Sequence, residues 1–453
     1  MLRIAVTGGS GQLGTLLLRR LVEDRQVGSI ISIDRRPPLV ASGKLRSVEA
    51  DVRDSHLRQH FEGCDALVHL AFLVSGKFRR EVAESVNIDG SKNVFEQARE
   101  AGVSHFVFVS SIAAYGVVPG HRLPLLEDSP RHYQDNFIYA ATKYKVEEYL
   151  DAFERAYPHV VVSRARPAML IGAHMDNPMG FMLRRNRIPV TQAPMPVVWD
   201  EDVADALALM IRQRAVGAFN LAADDPLPSQ ELAAAAGLRQ LYVYPRAVAR
   251  ALAHLSPGLE RLGMGPAFDP VWVDVMDVPM VVSSARARQV LSWQPRCATA
   301  ADVLKKYKAS VPSKTDRRLV WFFRAAHLYG QNGKMLDELR GVCLSIHVCL
   351  TGPGGGDFGI SIEGGRMAVR RAPPRPPTAT ITLRAKLLLK LLAGQANWSQ
   401  EVMTGRVLAA GQAHAPMVVA AMISKFRSGV NKPGVAGRIA RLLEHWFAAG
   451  GAE

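Results

Sequence analysis

LRIAVTGGSGQLGTLLLRRLVED, residues 2–24, decides the fold of the first part of this 453-residue chain. A strand pattern runs into Thr7-Gly8-Gly9-Ser10-Gly11-Gln12-Leu13-Gly14 and then into a helix pattern. Gly8, Gly11 and Gly14 follow the spacing GxxGxxG. Such glycines allow a tight turn, close backbone approach to a pyrophosphate and close packing of helix on strand, while the helix N-terminus offers N–H donors and partial positive charge. The glycine spacing alone is a weak signal. Its strand–turn–helix context and an acid about 20 residues further on make it strong. That acid is Asp34, at the end of IISID. Its carboxylate suits the ribose hydroxyls and repels a 2′-phosphate, which puts NAD ahead of NADP. Arg35 and Arg36 follow at once and suit such a phosphate, so the preference is incomplete. Asp51, in EADVRD, sits where an adenine amino group is expected; a solvated loop acid is the equal alternative. His69, in VHLAF, is expected to pack beside the cofactor rather than to ionise. No Lys-Ser or Lys-Thr follows the glycines, which disfavours a phosphate-cradling ATPase.

Working outward, residues 1–170 alternate apolar runs with helical patterns. RIAVTG, IISID, ALVHLAF, FVFVSS and VVVSRAR read as strands; QLGTLLLRRLVED, VNIDGSKNVFEQAREAG and the segment around Tyr139 read as helices. This alternation predicts a Rossmann-type, doubly wound α/β domain with a parallel sheet covered on both faces. Residues 171–310 are more irregular and richer in Pro and Met, as a substrate-covering region would be. The domain is expected to cover 1–310, with a linker over 311–334 that includes SVPSKTDRR. A separate α+β domain is then expected over 335–450, with Gly-rich turns between strands in GVCLSIHVCLTGPGGGDFGISIEGGRMAVRR and helices in RAKLLLKLLAGQ and APMVVAAMISKFRSG.

Hydrophobic residues make up 48% of the chain and charged residues 21%, a globular balance. The net charge of +15 is uneven. From Val311 onward there are 19 Lys+Arg against 8 Asp+Glu; the first 310 residues hold 37 against 33. The C-terminal surplus suggests contact with an anionic membrane surface, or simple solubilisation. No dense basic run alternates with aromatics, so nucleic acid is not expected as a partner. HVVVSRARPAMLIGA is broken by Arg164 and Arg166, too early for a membrane span. The immediate first strand is expected to leave no room for a secretory leader. Cys64, Cys297, Cys343 and Cys349 show no disulfide spacing. The expectation is a reducing, cytoplasmic setting.

In DNFIYAATKYKVEEYL, residues 135–150, Tyr139 and Lys143 are four apart and share one helical face. Ser111 ends the strand in FVFVSSIAAYG. A tyrosine with a pKa of about 10 is a poor base at neutral pH. A lysine ammonium beside it, with the positive ring of oxidised NAD, is expected to stabilise the phenolate. The phenolate would take the proton of a substrate hydroxyl while hydride leaves the same carbon. Ser111 would hold the substrate oxygen, and Asn87, in VNIDGSKN, would steady the lysine or a water chain behind it.

TGGSGQLG, VHLAF, VNIDGSKNV, VSSIAAYG, EDSP, YAATK, RARPAMLIGA, WDEDVADAL, GAFNLAADDPLPS and SARARQVLSWQPR resemble the extended short-chain dehydrogenase/reductase family over about residues 1–305. The resemblance implies Ser111, Tyr139 and Lys143 as the catalytic trio with Asn87 as accessory. It implies a dinucleotide site of Gly8, Gly11, Gln12, Leu13, Gly14, Asp34, Arg35, Asp51, Val52, Leu70, Ala71, Asn87, Tyr139 and Lys143, with Pro167, Ala168 and Met169 beside the nicotinamide. No metal is expected. Sugar-nucleotide dehydratases of this family carry Thr-Asp-Glu where this chain has Ser111-Ile112-Ala113, which argues against dehydration. Epimerases usually place an arginine before the DEDVADA element, whereas here TQAPMPVVW is apolar. Arg184, Arg185 and Arg187 are the available substitutes, so an epimerase is the runner-up to an oxidoreductase of an apolar, lipid or sterol-like alcohol or ketone. A non-catalytic NAD-sensing lipid-transfer protein is the alternative of another class. By analogy with relatives, the Tyr139 helix is expected to pair two copies in a homodimer.

FGISIEGGRMAV, ATITLRAKLLLKLLAGQANWSQEVMTGRVLAAGQ and MVVAAMIS resemble the sterol carrier protein type two family over roughly residues 335–430. That implies a lipid held between a small sheet and its helices, with Met403, Met417 and Met422 as apolar fillers or plain core. Cys343, His347 and Cys349 alternate on a strand, but the two cysteines are about 20 Å apart at ~3.3 Å per residue. They do not ligate one ion, and a strand facing a core is expected. In the tail, Ile439, Leu442, Leu443, Trp446 and Phe447 have helical spacing, with Arg438 and Arg441 beside them, suited to docking on the domain or on a membrane surface.

Overall fold

The computed structural model describes residues 1–74, 78–173, 175, 178–184, 186–242, 245–261, 268–310, 316–331, 343–351, 354–363, 366–370, 377–411 and 415–428. The chain divides into two units, Met1–Tyr307 and Lys308–Glu453.

The first unit is built on seven parallel strands: β1 (Leu2–Thr7), β2 (Val27–Asp34), β3 (Leu45–Glu49), β4 (Ala66–His69), β5 (His105–Val109), β6 (Val161–Pro167) and β7 (Gly217–Leu221). Their order is β7-β6-β5-β4-β1-β2-β3. Alternate side chains feed two cores. Ile4, Val6, Ile30 and Val107 pack on one face, and Ala5, Ile31, Ile33, Phe106 and Phe108 on the other. Period-two alternation in which both phases are apolar is what a sheet buried on both sides requires. Helices α1 (Gln12–Glu23) and α4 (Asp200–Gln213) cover the first face, through Leu17, Leu18, Leu21, Val203, Leu207 and Met210. Helices α2 (Gly90–Glu100) and α3 (Ile138–Ala156) cover the second, through Val94, Phe95, Val146, Leu150 and Phe153. The doubly wound expectation is met. Strands β3 and β7 were not expected: β3, LRSVE, is an exposed edge, and β7, GAFNL, carries too little apolar patterning to stand out.

The sheet reverses its winding between β1 and β4. In open α/β sheets the crevice beyond the carboxyl ends at such a point is where ligands sit. The glycine turn follows β1 there, and the 3₁₀ turn Ile112–Tyr115 follows β5 closely.

In the second unit, β8 (Leu344–Thr351), β9 (Gly356–Glu363), β10 (Arg366–Arg370), β11 (Ala379–Arg384) and β12 (Val407–Gly411) form a mixed sheet in the order β10-β9-β8-β11-β12. Strand β8 runs antiparallel to β9 and parallel to β11. Its Leu344, Ile346, Val348 and Leu350 enter a core with residues of α5 (Arg317–Gln331), α6 (Ala385–Leu392) and α7 (Ala415–Ser428). This is an α+β unit, as expected.

Three expectations change here. The linker over 311–334 contains a helix, α5, because Leu319, Phe322 and Phe323 at helical spacing are buried in the second core. His347 and Cys349 do not face that core; they lie half-buried on the opposite face of β8, and Cys343 is exposed just before the strand. Of the three methionines, only Met422 is core, while Met403 and Met417 are exposed. The tail residues Arg438, Ile439, Arg441, Leu442, Leu443, Trp446 and Phe447 lie outside the described residues, as does Arg185. Among the described residues no helix is long and apolar enough to cross a membrane.

Candidate active site

The glycine turn is built as the sequence suggests. Gly8 has a φ of +77°, and a Cβ on it would stand 2.6 Å from the Ala71 nitrogen. A Cβ on Gly14 would stand 2.2 Å from the Gly8 carbonyl oxygen. Neither position has room for a side chain, because the loop after β4 and the first turn of α1 crowd the β1–α1 turn. Gly11 is the N-cap of α1, and neither a side-chain cap nor an acid occupies that first turn. Its N–H groups and the positive end of the helix dipole therefore remain for an anion.

Asp34 reaches the turn, and its Oδ2 accepts from the Ser10 N–H at 3.1 Å. The Gln12 side chain turns away and donates to Asp200 at 2.7 Å, so only its backbone serves the turn. Asp51 is committed elsewhere. It accepts from the Arg53 backbone N–H, Nε and Nη2, and these bonds hold its carboxyl down to about 2. Arg35 is largely exposed, 3.9 Å from Asp51. Val52 is buried against Gly90, and the Leu70 N–H donates to the Thr7 carbonyl at 3.1 Å. Leu13 is buried, and Ala71 borders Gly8. Ala168 and Met169 continue from the end of β6, where Pro167 stands. Their N–H groups donate to the Leu221 and Pro196 carbonyls. His69 is fully buried between the Thr7 hydroxyl at 2.6 Å and the Ser91 hydroxyl at 2.9 Å, and burial pushes it down to about 3. It stays neutral, as expected.

Ser111, Tyr139 and Lys143 come together. Ser111 caps the 3₁₀ turn, accepting from the Ala113 N–H at 3.1 Å, and its hydroxyl is near enough to the Tyr139 phenol to favour its ionised form. One turn along α3, Lys143 Nζ donates to the Val109 carbonyl at 2.7 Å. It lies 3.3 Å from the Phe72 ring centre, 4.7 Å from that of Phe108 and 5.9 Å from that of Tyr139. The expected electrostatics are not met in the chain alone. Burial pushes the phenol up, with Ser111 countering, and drives the lysine well below its ordinary value, with Glu147 countering. Both shifts disfavour the ionised form, because ionising either group in a desolvated site is costly.

The hydrogen bonds of Asn87 go to Leu73 and Thr142. The residue is buried in a π-helical turn, Ser85–Asp89, where it exchanges hydrogen bonds with the Leu73 backbone at 2.7 and 3.0 Å and donates to Thr142 at 3.3 Å. Its role is to fix the loop after β4 against α3.

The sequence reading missed two groups. Behind Lys143, fully buried Glu147 accepts from Arg166 Nε at 2.9 Å, Arg131 Nη1 at 3.0 Å and the Ser110 hydroxyl at 2.5 Å. Burial raises its carboxyl, but Arg166, Arg164 and Arg131 prevail and hold it at about 2. The signal was present: Tyr139, Lys143 and Glu147 recur every fourth residue, and Arg164 and Arg166 sit in an otherwise apolar strand. The second group is an apolar cluster beside Tyr139. Phe137 packs edge-on to Trp272, with ring centres 4.8 Å apart, beside Val271, Val275 and Ala113; Tyr139 and Val117 lie against them. Trp272 is remote in sequence, and nothing local announces its position.

Arg184 donates to the Met175 carbonyl and Arg187 is exposed, while Val197, Val198 and Trp199 before α4 are buried. With Ile112 and Ala113 also buried, the acid pair of a dehydratase is missing.

The model of the NAD dependent epimerase/dehydratase family matches residues 4–222, from β1 to the end of β7, so this part of the first unit is similar to a domain of that type. An L-arabinose 1-dehydrogenase (NAD(P)(+)) of Haloferax volcanii is 38% identical over 112 residues, 24% of this chain and 41% of that protein. A 3-beta-hydroxysteroid dehydrogenase of Mycolicibacterium neoaurum is 31% identical over 159 residues, 33% of this chain and 42% of that protein. The chain spans about half the length of the curated relatives it matches, from 41% to 62%. The structure is similar to that of a UDP-glucose 4-epimerase of Thermotoga maritima, with a TM-score of 0.54, 19% identity and coverage of 68% of this chain and 98% of that one. At that identity the likeness concerns the fold.

Proposed function

We propose that the first unit is an NAD-dependent oxidoreductase of the short-chain dehydrogenase type, acting on the hydroxyl or keto group of an apolar substrate. The observation that carries this reading is the gathering of Ser111 after β5, Tyr139 on α3 and Lys143 one turn further on, beside the partly exposed Val117 and Trp272. Partly exposed apolar side chains at that place gain from burying a hydrocarbon skeleton at about 25 cal/mol per Å² and offer little to a sugar diphosphate. The 3-beta-hydroxysteroid dehydrogenase among the relatives is consistent with it.

When bound at the glycine turn, the dinucleotide supplies a hydride acceptor and a positive ring. Ser111 holds the substrate oxygen and Tyr139 takes the alcohol proton, or returns it in reduction. Each ion alone is disfavoured by burial, whereas a phenolate at Tyr139 and an ammonium at Lys143 would offset one another. Glu147, held ionised by its arginines, favours the ammonium side of that balance. Asp34 favours NAD by occupying the place of a 2′-phosphate.

The second unit is proposed as an amphiphile-binding module. It has a cleft of about 650 Å³ whose lining includes Leu383, Leu387 and Leu408 beside Arg384, Lys386, Lys390 and Arg406. Apolar wall and cationic rim suit a lipid with an anionic head. A tethered binder of this kind raises the local concentration of a sparingly soluble substrate.

Nicotinamide turnover by the full chain over panels of steroids, hopanoids and nucleotide sugars tests the reading. Turnover with the polycyclic alcohols is expected; turnover confined to nucleotide sugars overturns it in favour of an epimerase-like enzyme.

A further inference from the structure

We propose that His347, Cys349 and Asp357 form a binding site for a zinc-type divalent cation on the open face of the second unit's sheet. The fused module would then carry a metal centre independent of the dinucleotide chemistry of the first unit. Cys343 is too far along the strand to join such a site, and the third ligand comes instead from the neighbouring strand.

The register creates the cluster. His347 and Cys349 are two apart on β8 and so share a face. Asp357 on β9 is the cross-strand partner of Cys349. One nitrogen, one sulfur and one carboxylate oxygen lie within 4.8 Å of one another. His347 Nε2 and Asp357 Oδ1 are already 2.7 Å apart. Zinc bonds of about 2.0–2.3 Å in tetrahedral geometry place ligand atoms roughly 3.3–3.7 Å apart, so modest side-chain adjustment closes the site. An imidazole with a thiolate selects zinc-like ions over magnesium or calcium, which take all-oxygen sets.

The surroundings support a ligand set. The cross-strand partner of His347 is Gly359, which projects no side chain over that part of the face. Thr382 on β11 is the cross-strand partner of Cys349 on its other side, in place to serve as an outer partner that orients a ligand. All three ligating residues are half-buried, so the site is formed yet reachable. Three protein donors leave a fourth position for water or a bound molecule, the pattern of open zinc sites. Thr382 also lines the cationic cleft, so cation site and cleft share a wall residue. Binding forms one bond each from nitrogen, sulfur and oxygen and expels the thiol proton to solvent; no electron changes hands.

The test uses the full-length, reduced, metal-stripped chain titrated with Co²⁺ and then Zn²⁺. Expected are one tightly held equivalent, a thiolate-to-cobalt charge-transfer band, and its displacement by zinc. Cys349→Ser should abolish the band and weaken zinc binding at least tenfold. Asp357→Asn, which keeps the thiol, should retain the band and also weaken zinc at least tenfold. Cys343→Ser should change neither. Absence of the band, its survival in Cys349→Ser, its loss in Cys343→Ser, or unchanged affinity in Asp357→Asn would each overturn the site.

Discussion

The two sheets solve the same problem in opposite ways. In the first unit both faces of the sheet are buried, so chemistry-bearing side chains emerge at or past the strand ends: Asp34 as the last residue of β2, Ser111 after β5, the glycines after β1. In the second unit one face of the sheet is core and the other is not, so polar groups sit along the strand itself, with His347 and Cys349 alternating with Ile346 and Val348. Where a sheet is covered decides where its reactive groups can be. Strand ends can gather residues from distant parts of the chain into one crevice; an open face gathers only residues that register brings side by side.

The largest expected effect breaks the first half of that contrast. Tyr139→Phe removes the proton-transfer group at the crevice while keeping the ring against Phe137 and Phe72. It should lower kcat by about 10²–10⁴-fold with little change in melting temperature, read from nicotinamide absorbance and calorimetry. Next is Glu147→Ala, which leaves buried Arg166 without its carboxylate, while Arg164 keeps Asp151 and Glu154. Breaking a buried ion pair from one side costs about 3–5 kcal/mol, measurable by denaturant unfolding of the full chain.

The same carboxylate gives a pH signature. Its folded value, about 2, lies below its ordinary one. Its stabilisation is therefore fully present above the unfolded pKa, near 4.3, and fades as pH falls towards 2. Glu147→Gln should flatten acid unfolding in that window; an unchanged acid limb would show that the arginines do not depend on it.

The second half of the contrast is sharpened by a pair of substitutions on neighbouring strands. Ile346→Ala, on the core face of β8, should destabilise by roughly 2–5 kcal/mol. Thr380→Val, at the cross-strand partner of His347 on β11, should stay within about 0.5 kcal/mol, since its face is not core. Equal costs for the two would mean that the outer face is covered after all.

Much of the first unit was legible in the sequence because its signals are local. The glycine spacing fixes the β1–α1 turn, and the four-residue interval from Tyr139 to Lys143 fixes their shared helical face. Their electrostatics were not legible: whether Lys143 stabilises a phenolate depends on desolvation by Phe72 and Phe108, which come from other loops and strands. The hydrogen bonds of Asn87 to Leu73 and Thr142 were not legible either, because a π-turn shifts side-chain direction relative to regular helix spacing. In the second unit the error had a simpler cause. Alternation in CLSIHVCL reveals two faces but not which one is core, and only pairing with β9 brings Asp357 to Cys349.

The strand order also bears on how the first unit is made. Strand β6 ends at Pro167, but its outer neighbour β7 does not begin until Gly217. A nascent chain on the ribosome thus passes through a stage in which β6 is an uncapped border with a full row of amides and carbonyls facing outward. Such borders are templates for intermolecular pairing. Translation arrest or proteolysis between those two points would release a fragment prone to self-association, and supplying GAFNL in trans as a short peptide should suppress it.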